Sequence, residues 1–213
     1  MSGNRPIPLY LFAKAPVPGE VKTRMYPRMD AAGCARLAAT MLTHSVENLH
    51  RHWPGKLVLT VSPHAQFEVF RSLRSSVDMD LEVQIEGDLG SRMMHVLKRG
   101  VKESGYSAVM GCDIPHLPGE TLENAYELLT TRGNVIGPAT DGGFYFLGVN
   151  QENERIFRDV RWGESTVLSR VRANFSECGL ALASCAESRD IDTWDDLCWL
   201  AETDARYREF TGP

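Results

Sequence analysis

Apolar residues along this chain gather in six short blocks, separated by longer stretches with helical spacing. The blocks at 8–13, 56–61, 81–85, 108–112, 134–136 and 144–149 are rich in Val, Ile, Leu and Phe and predict strands. Several are apolar at consecutive positions, the pattern of strands covered on both faces. Leu89, Met93, Val96, Leu97 and Val101 fall on one helical stripe. Leu122, Tyr126 and Leu129 form a second stripe, and Val167, Leu168, Val171 and Phe175 a third, with Gly179 placed to stop that helix. Residues 30–49 predict a longer helix. Thr193 with Asp196 resembles a capping box, Asp replacing the usual Glu, and predicts one more helix start. This alternation predicts an α/β fold, a three-layer α/β/α sandwich around a mostly parallel sheet. It breaks at 134–149, where two strands flank a short segment containing Asp141-Gly142-Gly143, so a small antiparallel element is expected there. No repeat or linker interrupts the pattern, and a single domain over 1–213 is expected.

In an open parallel sheet, ligands bind outside the carboxyl ends of the strands, so chemistry is sought just after each strand. After the first comes Lys14-Ala15-Pro16-Val17-Pro18-Gly19-Glu20-Val21-Lys22-Thr23-Arg24. Two prolines stiffen this loop, Gly19 permits close backbone approach, and Lys14, Lys22 and Arg24 make a polyphosphate cradle or a merely solvated basic loop. It is not a Walker A loop, since Val21 stands where glycine must precede the lysine. After the third strand, Gly87-Asp88-Leu89-Gly90 either offers backbone N–H groups to a base or phosphate, or is a helix start capped by Asp88. After the fourth, Asp113 is followed by Ile114-Pro115, a carboxylate at a strand end suited to Mg²⁺ or to an Asx-turn. Asp141-Gly142-Gly143 is a turn whose glycines admit a bulky substrate. Asp192 precedes the last helix as a second metal ligand or an N-terminal helix charge, with Asp190 nearby. His116 alone is weak as a functional signal, and residue types assign no chemistry to 162–166.

Composition narrows the classes. At 213 residues, with 43% hydrophobic and 24% charged, the chain is not collagenous, coiled-coil or wholly disordered. The 23 basic residues against 28 acidic argue against nucleic acid as a partner. Five cysteines without a C-x-x-C pair predict reduced, mostly buried thiols. No signal-peptide core or membrane-length apolar run is present, so a cytoplasmic location without a membrane span is expected.

The Phe12–Arg24 run, Gly87-Asp88-Leu89-Gly90, Asp113-Ile114-Pro115 and the run from Gly137 to Gly143 together resemble a bacterial family of transferases of the radical-SAM/selenodomain-associated type. That family lies in the glycosyltransferase-A, or nucleotide-diphospho-sugar transferase, superfamily. The resemblance implies a nucleotide across the carboxyl ends of the strands and a divalent metal, Mg²⁺ or Mn²⁺, on Asp113. Cys112-Asp113-Ile114-Pro115 and the stretch from Asp190 to Leu197 are also similar to segments of molybdenum-cofactor nucleotidylyltransferases, which makes Asp192 the second metal ligand. Lys14, Lys22, Thr23 and Arg24 resemble the cationic loop of phospholactate guanylyltransferases. The glycine-rich start many nucleotidyltransferases place after strand one is missing. So is an Asp-x-Asp triad, because Gly111 precedes Cys112.

The expectation is therefore a Mg²⁺-dependent nucleotidyltransferase that releases pyrophosphate. Lys22, Arg24 and Asp113 would be catalytic. Lys14, Gly19, Lys22, Thr23, Arg24, Asp88 and Gly90 would bind the nucleotide. Asp141, Gly142 and Gly143 would face a small phosphorylated or hydroxyl acceptor, and Asp113 and Asp192 would hold metal. A glycosyltransferase using a nucleotide sugar, and a non-catalytic nucleotide-binding relative, are the rival readings.

Overall fold

The computed structural model describes residues 5–212. Strand β1 (Pro8–Lys14) lies inside a seven-stranded sheet, parallel to β2 (Lys56–Ser62) on one side and β4 (Ser107–Gly111) on the other. β3 (Asp80–Val83) extends the sheet beyond β2, also in parallel. Beyond β4, β6 (Phe144–Val149) runs antiparallel to both β4 and β5 (Val135–Pro138), and β7 (Ala183–Ser184) pairs in parallel with β5. The order is β3-β2-β1-β4-β6-β5-β7. The antiparallel element falls at 134–149, where the sequence pattern puts it.

Among the described residues six α-helices complete the fold: α1 (Ala31–His52), α2 (Glu68–Ser76), α3 (Leu89–Ser104), α4 (Gly119–Arg132), α5 (Val167–Glu177) and α6 (Trp194–Thr203). The pleat sends alternate strand residues to opposite faces. Leu9, Leu11 and Ala13 of β1 pack with Leu42 and Val46 of α1, Phe70 of α2 and Leu122 of α4. Tyr10 and Val109 face the other way, with Leu97 of α3 and Phe175 of α5. Both sheet faces are thus covered, which is why β1, β2 and β4 read as unbroken apolar runs. A third cluster joins Met25 and Met29 to Leu37 of α1, Ile191, and Leu197 and Leu200 of α6.

Helix starts follow their caps. Asp30 accepts from the Gly33 N–H at 2.6 Å, Asp88 from the Ser91 N–H at 2.7 Å, and Thr193 with Asp196 forms the expected capping box. Two elements escape the pattern. α2 buries only Phe70 and Leu73, and β7 is two residues long. β3 ends at Val83, short of the expected 85, because Gln84 turns inward: its N–H donates to the Val61 carbonyl at 2.8 Å and its amide to that of Thr60 at 2.9 Å. All five cysteines are free thiols.

Candidate active site

The chain lays β2 and then β3 on one side of β1 and returns to lay β4 on the other. The carboxyl ends of β1 and β4 therefore flank a topological switch point, where an α/β sheet opens a crevice. Lys14 ends β1, and Asp113 follows β4 by two residues.

At this crevice Lys22 sits between two carboxylates. Its Nζ donates to Asp113 Oδ1 at 2.6 Å, to Asp192 Oδ1 at 2.9 Å and to the Ile191 carbonyl at 2.7 Å. The lysine side chain is 7% exposed, while those of Asp113 and Asp192 are 48% and 40% exposed. Burial pulls the ammonium's pKa down, but the two carboxylates outweigh it and hold the pKa above the ordinary lysine value. Arg24 approaches the same group, its Nη1 3.7 Å from Asp192 Oδ2. Lys14 turns instead to Glu20, donating to its carbonyl at 2.9 Å.

Packing sets this geometry. The Ile191 N–H donates to the Asp113 carbonyl at 3.0 Å, which joins the two carboxylate-bearing loops, and the Ile191 side chain is fully buried in the third cluster. Met25, three residues beyond Lys22, is buried in the same cluster and draws the cationic loop inward. Lys22 adopts a left-handed backbone, φ 50°, a conformation non-glycine residues hold only when their surroundings enforce it.

A divalent ion suits this donor set. Two hard oxygen donors converge on one cation-sized point, both carboxylates are partly open to solvent, and two negative charges meet a single ammonium. Mg²⁺ and Mn²⁺ bind through one or two carboxylates plus waters and phosphates. By residue type and position Lys22 is expected on phosphate and the carboxylates on metal. In the structure the lysine itself fills the point between them, because it is the nearest buried cation able to neutralise them.

Asp190 lies behind Asp192. Burial first, then the neighbouring Asp141, Asp113 and Asp192 carboxylates, push its pKa up to about 8, and it shares a hydrogen bond with Asp141. Burial, with Asp113 adding, pushes the Cys112 thiol up to about 12, which leaves it no thiolate for nucleophilic work.

Two cavities meet at Phe12 and Asp192. The smaller, about 250 Å³, reaches Lys14, Lys22, Cys112 and Asp113. The larger, about 470 Å³, is walled by Phe12, Leu89, Met93, Phe144 and Trp162, with Arg24, Asp141, Gly143, Glu164 and Ser165 among its polar edge. Its Trp162–Ser165 wall comes from the segment to which residue types assign no chemistry. The signal for it is spread over two other motifs. A Cβ on Gly90 would lie 2.8 Å from the Trp162 ring, and one on Gly142, φ 88°, would lie 2.1 Å from the Ser165 carbonyl. Both glycines make room for this loop.

The remaining candidates are placed as follows. Asp88 caps α3, and with Gly90 it lines a second cleft that shares Trp162 with the larger cavity and includes neither Asp113 nor Asp192. Gly19 stands on an open turn with nothing within 4 Å of a Cβ position. Thr23 is exposed in the short 3₁₀ turn after Lys22. Asp141 steadies its own turn by accepting from the Gly143 N–H at 2.8 Å. His116 packs on Trp199 and lines neither cavity. Among the described residues no helix is long and apolar enough to cross a membrane.

Solved structures share this fold. The chain is 24% identical to a Desulfovibrio desulfuricans G20 protein provisionally given as a nucleotide-diphospho-sugar transferase, with a TM-score of 0.77 over 95% of this chain and 97% of that one. It also resembles a nucleotidyl transferase from Methanothermobacter, 14% identical, TM-score 0.62, covering 94% and 98% of the two chains. A Mycobacterium tuberculosis H37Rv protein crystallised as a manganese complex is 17% identical, TM-score 0.55, over 93% and 98%. No curated protein matches the sequence. The profile of DUF2064, described as an uncharacterized protein conserved in bacteria, matches residues 45–164, just over half of the chain. The protein belongs to the DUF2064 family and has the fold of the nucleotide-diphospho-sugar transferases.

Proposed function

We propose that this protein is a Mg²⁺-dependent nucleotidyltransferase acting on a small acceptor. The observation that carries the reading is the convergence of Asp113 and Asp192 on one cation position at the switch point, with Lys22 and Arg24 against them. An acceptor oxygen would form a bond to the α-phosphorus of a nucleoside triphosphate. The bond from that phosphorus to the oxygen bridging to the β-phosphate would break, pyrophosphate would leave with the electron pair, and the acceptor proton would pass to solvent.

Asp113 and Asp192 would hold the divalent ion, which when bound supplies charge neutralisation for the phosphates. At an effective dielectric near 20, unit charges at the 2.6–2.9 Å separations of Lys22 attract by about 6 kcal/mol before desolvation. A doubly charged ion gains about twice that at the same point, so it competes with the ammonium even after its own dehydration. Displaced, Lys22 would turn to the leaving phosphates as a point charge, beside the forked donors of Arg24. Lys14, Thr23 and the Gly19 turn would bound the phosphates on the outer side. Asp88 and Gly90 would act on the nucleotide only through the start of α3 and the seating of Trp162. Asp141 and the Gly142-Gly143 turn would face the acceptor. Positioning and electrostatics supply most of the acceleration in such a site.

The similarity to the Desulfovibrio protein supports a second reading, a glycosyltransferase using a nucleotide sugar. Melting curves with Mg²⁺ and a panel of nucleoside triphosphates and nucleotide sugars test both. A ligand at 100 times its Kd should add about 2.7 kcal/mol of stability. Product analysis then separates them: pyrophosphate release supports the first reading, and nucleoside diphosphate release overturns it in favour of the second. Silence across the whole panel would leave a non-catalytic relative.

A further inference from the structure

We infer that the protein carries a second ligand site, for a small oxyanion, between α1, the loop that follows Asp113 and the carboxyl end of α6. It shares no residue with either cavity at the switch point, so it stands or falls independently of the reaction proposed there. Its cavity holds about 320 Å³, the small end of the range of small-molecule sites. His44, Asn48 and Arg51 line it from one stripe of α1, at i, i+4 and i+7. His116, Trp199 and Arg206 close it from the other elements.

The groups this wall leaves open are mainly donors. Tyr207 is fully buried, and its hydroxyl has one hydrogen-bond partner among the described residues, His44 Nδ1 at 2.6 Å. A buried hydroxyl places its proton on a partner, so the phenol donates to Nδ1 and the imidazole proton sits on Nε2, free to donate into the cavity. Burial holds the His44 pKa below the ordinary histidine value, with Arg206 adding, so the ring acts as a neutral donor.

The two guanidiniums are each paired on one edge. Arg206 gives Nε and Nη2 to Asp204, leaving Nη1. Asp204, the one carboxylate in the wall, also accepts the Arg206 backbone N–H, so its oxygens are occupied and its charge is matched. Arg51 gives Nη2 to Glu47 at 3.3 Å, in an ion pair exposed on both sides. Such a pair is weakly held, so the surplus positive charge of the cavity lies on Arg51 and can turn to a ligand. Asn48 donates its amide to the Leu117 carbonyl at 2.8 Å, and its Oδ1 can accept the hydroxyl of a hydrogen phosphate.

A separate observation points to the same cavity. Three buried side-chain atoms lack a hydrogen-bond partner among the described residues, and one of them, His116 Nδ1, belongs to this wall. Its ring is held edge-on to Trp199, centroids 4.9 Å apart, and its other nitrogen lies 3.5 Å from Ser188 Oγ. An unpaired buried ring nitrogen is costly, and a ligand oxygen is the partner that the wall itself does not supply.

Imidazole NMR spectra of the full-length protein at about pH 7.5, titrated with inorganic phosphate or with succinate at constant ionic strength, test the site. The His44 and His116 signals should move saturably, with a Kd in the millimolar range, while His95 on α3 stays in place. Saturation by phosphate alone narrows the ligand to phosphoryl groups, and saturation by succinate alone narrows it to carboxylates. Arg51→Gln should weaken the anion by at least about tenfold, at an unchanged melting temperature because the side chain is exposed. No saturable shift with either anion up to about 50 mM, the same shifts with chloride, or an unchanged affinity in Arg51→Gln each overturns the inference.

Discussion

The backbone N–H of Ile191 donates to the backbone carbonyl of Asp113 over 3.0 Å, so two loops seventy-eight residues apart in the chain are stitched together beside their carboxylates. The Ile191 carbonyl in turn accepts from Lys22. Ile191→Ala keeps both backbone groups and empties a fully buried position. A loss of about 2–4 kcal/mol in urea unfolding is expected, with weaker nucleotide binding as the loops loosen. Unchanged stability would show that the third cluster does not hold the site.

Lys22→Met removes the one cation lying between Asp113 and Asp192. Metal-free protein should lose about 1–2 kcal/mol, less than for a fully buried pair because both carboxylates are partly exposed. Mn²⁺ titrated into the same protein and followed by electron paramagnetic resonance should bind at least about threefold tighter than in the wild type. Weaker Mn²⁺ binding in the variant would mean that lysine and metal do not share the point.

Asp113→Ala should leave the fold intact, since the side chain is half-exposed, and should abolish the Mg²⁺-dependent part of any nucleotide melting shift. Pyrophosphate release should fall by about three orders of magnitude. Full activity in a folded Asp113→Ala protein would remove this aspartate from the site.

Asp190 carries a pH signature. Its folded value of about 8 lies above its ordinary 3.8, so between those limits the folded chain keeps a proton that the unfolded chain releases. Stability from this group is present at low pH and falls as pH rises through the window. In EDTA, Asp190→Asn should flatten the decline of Tm between pH 5 and pH 8 by about half or more, and the variant should be the more stable protein at the upper end. Parallel Tm profiles would show that Asp190 is ionised throughout.

Gly19 and Gly142 share a positive φ, 87° and 88°, but differ in surroundings. Gly19→Ala should cost about 1 kcal/mol for conformation alone. Gly142→Ala adds a Cβ 2.1 Å from the Ser165 carbonyl, so it should cost about 3 kcal/mol or more and disturb the wall of the larger cavity. Equal losses by thermal unfolding would mean that the Ser165 loop yields freely.

The sheet strands with long apolar runs were legible because burial on both faces leaves an unbroken signature, and the α6 start was legible because a capping box is local. α2 and β7 were not: α2 carries its apolar face, Val69, Phe70 and Leu73, on a helix of only nine residues, too short to stand out from the loops around it, and β7 is two residues long. The same division runs through the site. Asp113, Asp192, Lys22 and Arg24 stood out by residue type at strand ends and loop positions. That Lys22 lies between the carboxylates, that Lys14 turns to Glu20, and that Asp88 and Gly90 belong to another cleft are decided by packing across the chain. Trp162 is the plainest case. Nothing in its neighbours along the chain marks it, and only the missing Cβ of Gly90, seventy-two residues earlier, makes space for its ring.

By itself, then, the amino-acid order determined the layering of this protein and the residue types available at its rim, because periodicity and capping act between near neighbours. Which cation faces which carboxylate, and how apolar the second cavity is, were settled by distant side chains competing for the same few ångströms, an outcome that local pattern does not encode.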